Sequence, residues 1–403
     1  MKKQKIYPWL IMLIGILIMS GSWGLFINCI GIVFNAVKTD LGFSDSQMAL
    51  YYSVRSIVGS FAIGLTMKWF NNRKGHLWLA LYCAVFALSV GVMAFFGPSI
   101  WYWYASALFS GATNVIIFAA IPLILANWFK RFRGAVTGIT LAFSGIFAVF
   151  MNPLISQMIG ASGWRNTCLI LCGLSLLLTV PLTVLFLRKD PAELGLEPFG
   201  SASGNDTAAR EDEDRVLPKS IFWFYLAYLI LTSFPSGFTS VSTFFGASIG
   251  MDLAACAKLA SFFMIGNLLS KVMVGVLKDR IGAFPTSYLT NAMVLIGAVL
   301  FLFGQGSRGV IYAGGIPYGF SYALFTLQAL MTMYIFGKKA YSEVTVRISR
   351  VTGIVSALLS YYPSLIYDTF GSYDPALISY IVCCVLQLIL LFVIDRRLRR
   401  AVS

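Results

Sequence analysis

A chain of 403 residues with 58% hydrophobic and 11% charged residues carries too little polar surface for a water-soluble fold. Soluble domains hold roughly 25% charged residues, and the mean hydropathy here is +0.81. The formal net charge of +14 would suggest a nucleic-acid partner in a soluble protein, but the placement of the charges, taken up below, excludes that.

A membrane-spanning helix needs about 20 mostly apolar residues. Twelve such runs follow one another, at approximately 9–37, 46–69, 75–97, 100–128, 134–160, 166–188, 219–249, 254–278, 283–304, 308–336, 345–369 and 374–395. The first is too long for a signal peptide, and no small-residue cleavage pattern follows it.

In span 1 the polar side chain of Asn28 and the indole of Trp23 stand inside an apolar run. Span 2 opens at Ser46/Gln47 and carries Arg55, about 13 Å below its outer start at 1.5 Å per residue. It ends on Gly64 and Lys68 in "GLTMKWFNNRK". Span 4 holds Asn114. Span 5 is entered through "NWFKRFRGAVTGI", with Arg133 at its start, and continues in "GIFAVFMNP" before Gly163-Trp164-Arg165. After span 6, "KDPAELGLEPFGSASGNDTAAREDEDRVLP" (189–218) is rich in Gly, Ser, Pro and acidic residues and reads as a solvated linker. It divides the chain into a first bundle (1–188) and a second (219–403) of six spans each.

Span 8 holds Lys271 and ends on Gly275, Asp279, Arg280 and Gly282. Eight residues separate Lys271 from Asp279, which is about 12 Å of depth in a core about 30 Å thick. Span 10 presents Tyr318 and Tyr322, which would share one face of an α-helix at i,i+4. Glu343, Arg347 and Arg350 stand where span 11 begins.

The halves repeat. "GLTMKWFNNRK" and "GVLKDRIGA" close their second spans at an offset of 211, and "YASALFSG" and "YAGGIPYG" open their fourth at 208. A tandem six-helix repeat points to a two-bundle transporter with its site near the midplane between halves. Lys2, Lys3, Lys5, Lys68, Arg73, Lys74, Lys130, Arg131, Arg133, Lys278, Arg280, Lys338, Lys339 and the tail arginines all fall on one side, and Lys38, Arg165 and Arg308 on the other. This is the positive-inside pattern with both termini in the cytoplasm, so the basic balance is topology rather than a nucleic-acid footprint. The seven cysteines sit in or beside apolar helices, without zinc-site spacing around the single histidine, His76. No metal or cofactor is expected.

On Gly275, Asp279, Arg280 and Gly282, with the degenerate first copy at Gly64 and Lys68, the chain resembles the major facilitator superfamily. The loop into span 5, the Gly163-Trp164-Arg165 triplet and "RKDPAELGLEPFG" are similar to its oxalate/formate-antiporter and monocarboxylate branch. The resemblance implies an all-α membrane protein of twelve transmembrane helices in two pseudo-symmetric six-helix bundles. It also implies that a basic residue in span 8, here Lys271, binds a carboxylate. The branch's second basic residue, in span 11, aligns with Thr352, and Arg350 lies half a turn earlier.

The sequence reading leaves two alternatives at most positions. Lys271 either holds an anionic cargo or bonds backbone carbonyls at a helix break; no Asp or Glu lies within a span interior to pair with it, and such a cation is a functional candidate by default. Arg55 either binds cargo or braces an outer gate against Asp40 or Asp45. Tyr318, Tyr322, Asn28 and Asn114 either contact substrate or pack and hydrogen-bond between helices, and Arg347 and Arg350 could simply meet lipid headgroups. At the inner face the reading expects a charge-swapped gate, Lys68 with Glu343 and Asp279 with Arg133, because helix N-termini favour carboxylates. Together these expectations describe an alternating-access carrier, functional as a monomer in a lipid bilayer, for a small organic mono- or dicarboxylate. It is not an enzyme. The rival readings are an exporter of drugs or other metabolites, and a transporter-like sensor that does not translocate.

Overall fold

The computed structural model describes residues 2–72, 74–130, 133–200 and 219–402, and every regular element among them is helical. Nine helical runs among these residues are long and apolar enough to cross a membrane. Spans 5 and 6 count as one of the nine, and spans 10 and 11 are not among them. Spans 5 and 6 form one run, α6 (Arg133–Leu185), interrupted at Gly163 with φ 78° and ψ 163°. That region is essentially open to glycine alone. Spans 10 and 11 likewise share continuous helical backbone in α12 (Ala323–Phe370). Its Met331 and Ile335 and, further on, Ile348 return to one core with Tyr225, Leu229 and Leu391.

The chain forms two compact units, Met1–Asn205 and Asp206–Ser403. In unit 1, span 1 is broken into α1 (Lys2–Ile18), a π-helical stretch (Met19–Asn28) and α2 (Ile30–Leu41). Gly21 and Gly24 lie in the π-helical stretch, and added Cβ atoms there would stand 3.0 Å from the Thr179 methyl and 3.1 Å from the Ser144 carbonyl. Any larger residue at either position would have to push α6 or its side chains back by a few tenths of an ångström. Span 2 is α3 (Asp45–Phe70), started by Ser44 and Gln47, each bonding the other's backbone amide; this reciprocal cap satisfies two otherwise orphaned donors. Then come α4 (Gly75–Gly91) and α5 (Ile100–Trp128).

Segment 189–200, expected as part of the linker, instead folds onto unit 1. Asp190 and Glu193 cap a 3₁₀ turn, Pro191–Leu194. Phe199 forms a parallel bridge with Phe129, its N–H donating to Trp128 O at 2.8 Å and its carbonyl accepting from Lys130 at 3.0 Å. Trp128 Nε1 donates to Arg188 O at 2.8 Å, and Asn127 to Lys189 O at 3.2 Å. Two of the sequence stretches that carried the branch resemblance, the loop into span 5 and the stretch after span 6, therefore dock on each other.

In unit 2, span 7 comprises α7 (Lys219–Phe238), a 3₁₀ turn (Thr239–Val241) and α8 (Ser242–Ser248). Pro235 lacks an N–H, so the Leu231 carbonyl loses its helical partner. Gln387 Nε2, from α13 (Asp374–Val402), donates to that carbonyl at 2.8 Å. Span 8 is α9 (Leu253–Ile281) and span 9 is α10 (Ala283–Phe303). The helix α11 (Arg308–Tyr318) passes into a 3₁₀ turn, Gly319–Tyr322, after Pro317.

The repeat seen in sequence reappears as packing. In unit 1 a Cβ on Gly111 would lie 2.5 Å from Arg55 O, and one on Gly59 would lie 3.1 Å from Gly111 O. In unit 2 a Cβ on Gly319 would lie 2.4 Å from Phe263 O, and one on Gly266 would lie 2.0 Å from Ile316 O. Each half thus joins its second and fourth spans through paired glycines, the small-residue contact that membrane helices use.

Candidate substrate-binding residues

Lys271 lies on α9 five residues beyond Gly266, about 7.5 Å from the glycine contact toward the C-terminal end of the helix. Its side chain is partly buried, and among the described residues it has neither a hydrogen bond nor an ion pair. The helix around it is regular, so no broken turn offers its carbonyls to the ammonium. One turn back, Asn267 is 1% exposed and its Oδ1 has no donor; its Nδ2 faces Met264 Sδ at 3.7 Å. This residue went unread in the sequence, although the i,i+4 spacing from Lys271 was there to find it.

Arg55 lies on α3, four residues before Gly59, so about 6 Å from the glycine contact of unit 1 toward the N-terminal end of the helix. It is buried, 9% exposed. Its guanidinium sits 5.1 Å from the Tyr52 ring centre and 5.9 Å from that of Tyr51, and donates to Phe26 O at 3.4 Å. The carboxylates considered as braces have other partners. Asp45 takes Lys38 at 2.5 Å, while Asp40 accepts from Trp164 Nε1 at 2.8 Å and Arg165 at 3.2 Å. Trp164 and Arg165 of the Gly163-Trp164-Arg165 triplet therefore clamp the C-terminal end of span 1.

The expected tyrosine pair separates. Tyr318 is fully buried, donates to Pro235 O at 2.9 Å and packs among Phe238, Phe263 and Phe301. Tyr322 is partly buried at the end of the 3₁₀ turn. Three residues per turn rotate a fourth position by about 120°, against about 40° in an α-helix. The shared face assumed an unbroken α-helix. Asn28 donates to Ser144 O at 3.1 Å, a bond from span 1 to span 5. Asn114 Oδ1 is buried without a partner. Thr352, 8% exposed, returns its hydroxyl to Ile348 O at 3.1 Å.

Of the gating residues, Gly282 has φ 91° and ψ 171°, again a glycine-only conformation, which explains the motif's last position. Gly64, Lys68 and Arg280 are exposed. The side chains of Arg133, Gly275, Asp279, Glu343 and Arg350 lie outside the described residues, and with them both expected gate pairs.

A helical membrane protein whose two halves repeat a second-to-fourth-span contact has the internal repeat on which transporter folds are built. A family model described as Major Facilitator Superfamily matches residues 11–360, and the chain belongs to that superfamily. It is 25% identical over 334 residues to the MFS-type transporter pynF of Aspergillus niger, covering 80% of this chain and 72% of that relative. Its fold is similar to the nucleoside transporter NupG, with TM-score 0.69 at 14% identity over 97% of this chain and 98% of that one. It is also similar to a bacterial homolog of the human lysosomal transporter Spinster, in an inward-facing and unoccupied conformation. There the TM-score is 0.68 at 11% identity, over 99% and 98% of the two chains. The protein is a multi-pass integral membrane transporter with the all-α major facilitator fold.

Proposed function

We propose that the protein carries a small organic anion, a mono- or dicarboxylate, across the cytoplasmic membrane by alternating access, with both termini in the cytoplasm. The observation that carries this reading is Lys271: an ammonium partway through an apolar helix, without a counter-charge among the described residues. Desolvating an ion costs several kcal/mol unless it is paired, and an arriving carboxylate is the simplest partner. Arg55 adds a second buried cation, in unit 1, that has no carboxylate partner among the described residues. The similarity of the span-5 loop and the stretch after span 6 to the oxalate/formate and monocarboxylate branch supports the same class. Exchange or uniport follows from the absence of Asp and Glu in the span interiors, because a proton-coupled pathway usually holds a titratable carboxylate.

Counterflow in proteoliposomes against carboxylates, sugars and amines tests the reading. Carboxylates should be carried, Lys271→Arg should keep part of the rate, and Lys271→Gln should lose about 30-fold or more, as removal of one partner from a desolvated charge pair does, while folding normally. Full transport by Lys271→Gln, or transport of neutral and cationic compounds only, would overturn it.

A further inference from the structure

We propose that unit 2 holds a separate small-molecule site, independent of the anion reading, in which a primary ammonium ion binds at the end of the bundle that the charge asymmetry places outside. The observation behind it is a cavity of about 310 Å³ where the ends of α8, α10 and α12 meet the start of α13. That volume reaches the lower limit of sites for small organic ligands.

Three helices turn their C-terminal ends to this space. α8, which continues α7 through a 3₁₀ turn, ends at Ser248. α10 ends at Phe303, two residues before Gln305, and α12 at Phe370, where Gly371 takes the left-handed conformation with φ 70°. Ser248, Gln305 and Gly371 all line the cavity. A helix C-terminus carries about half a negative charge on its last carbonyls. α13 starts here with the opposite sign, but the carboxylate of Asp374 in its first turn more than offsets it. The sum is roughly two negative charges, and no Lys, Arg or His is among the lining residues. Of the basic residues on this face, Arg308 is exposed outside the lining and Lys258 is held over the Tyr312 ring at 5.8 Å.

The polar atoms match that charge. Asp374 Oδ1 accepts from Gln305 Nε2 at 2.5 Å, and the Asp374 backbone N–H donates to Ser372 Oγ at 3.0 Å. With its N–H₂ turned to the carboxylate, Gln305 has its carbonyl oxygen to present to a ligand. Ser248 gives its hydroxyl hydrogen to Phe245 O at 2.8 Å, which leaves its oxygen as an acceptor. The wall beside them is aromatic: Tyr367 stacks on Tyr373, with ring centres 4.7 Å apart and 16° between planes. A primary ammonium has three donors and no acceptor, so its N–H groups meet the oxygens while its carbon stem lies against the rings. A carboxylate would meet oxygens of its own sign. A ligand held here joins the ends of spans 7, 9 and 11 to the start of span 12 and stabilises the folded protein by its occupancy.

Thermal unfolding of the purified full-length protein in detergent tests the site, with ethylammonium chloride, tetramethylammonium chloride, sodium chloride and sodium acetate at matched ionic strength. Ethylammonium should raise the Tm with a saturating dependence on concentration. Tetramethylammonium has the charge without the N–H groups, and it should not, nor should sodium or acetate. Asp374→Asn and Gln305→Leu should each weaken the ethylammonium effect about fivefold or more. Asp252→Asn removes a charge elsewhere on the same face while keeping a cap on α9, and it should leave the effect unchanged. If Asp374→Asn does not fold, Gln305→Leu is read by the same criterion. No shift with ethylammonium, an equal shift with sodium or tetramethylammonium, or equal weakening by Asp252→Asn would overturn the site. So would an ethylammonium shift that both lining variants leave intact.

Discussion

Arg55 sets burial against charge more sharply than any other described residue of unit 1. Its one hydrogen bond, 3.4 Å to Phe26 O, is longer than the usual 2.7–3.2 Å range. The rings of Tyr52 and Tyr51 offer about 0.5–2 kcal/mol each, against a desolvation penalty of several kcal/mol per ion. Arg55 is therefore expected to cost stability in the resting protein and to be kept for function. Arg55→Met, which preserves length and apolar contact, should raise the unfolding free energy by about 1–3 kcal/mol while slowing carboxylate transport. Thermal unfolding in detergent and counterflow check the two halves. A destabilised variant with normal transport would make Arg55 a brace for span 1 instead. The depth of Arg55 was legible in the sequence, because counting residues along a span needs only the helical rise. Its partners were not. The Phe26 carbonyl is reached within a π-helical stretch, and Asp40 is taken by Trp164 and Arg165 from more than a hundred residues away. Lys271 was legible for the same reason as Arg55, and Asn267 was missed because its significance lies in what it does not bond.

Among the elements, the glycines divide into two kinds that the sequence does not distinguish. Gly266 and Gly319 face backbone atoms at 2.0 and 2.4 Å from an added Cβ, where neither helix can yield without moving. Gly64 and Gly138 face nothing within 4 Å. Overpacking a tight contact costs about 1–3 kcal/mol, so Gly266→Ala and Gly319→Ala should each destabilise by at least that range. Gly64→Ala should cost nothing measurable and could even gain the few tenths of a kcal/mol that alanine brings to a helix. Thermal unfolding of the three variants distinguishes the classes, and equal effects would contradict the packing. The 3₁₀ turn after Pro317 was within reach of the sequence, since Gly314, Gly315, Pro317 and Gly319 all disfavour a regular helix there. Segment 189–200 was not. A stretch rich in Gly, Pro and acidic residues reads as a solvated linker, and long-range contacts such as Phe199 with Phe129 and Asn127 with Lys189 make it part of unit 1.

At the scale of the whole molecule, the two halves repeat a frame but not its chemistry. The glycine contacts recur at offsets of 207 and 208, whereas the cation lies on the N-terminal side of that contact along span 2 and on the C-terminal side of it along span 8. The twelve-span frame was legible because apolar length and charge asymmetry follow from the bilayer itself; the exposed positions give a direct test of the orientation that asymmetry implies. Lys and Arg crowd the ends holding Asn71, Trp128 and Lys189, and translocating them against the membrane potential would cost roughly 2.3 kcal/mol per charge per 100 mV. Glu197 follows those ends and is exposed, while Ser307 lies exposed between spans 9 and 10. All seven native cysteines are buried, so a new one can be labelled against a low background. In intact cells a membrane-impermeant maleimide should modify Ser307→Cys and leave Glu197→Cys untouched until the cells are opened. Labelling of Glu197→Cys from outside, with Ser307→Cys protected, would invert the topology and place Lys271 nearer the outer face than the inner one.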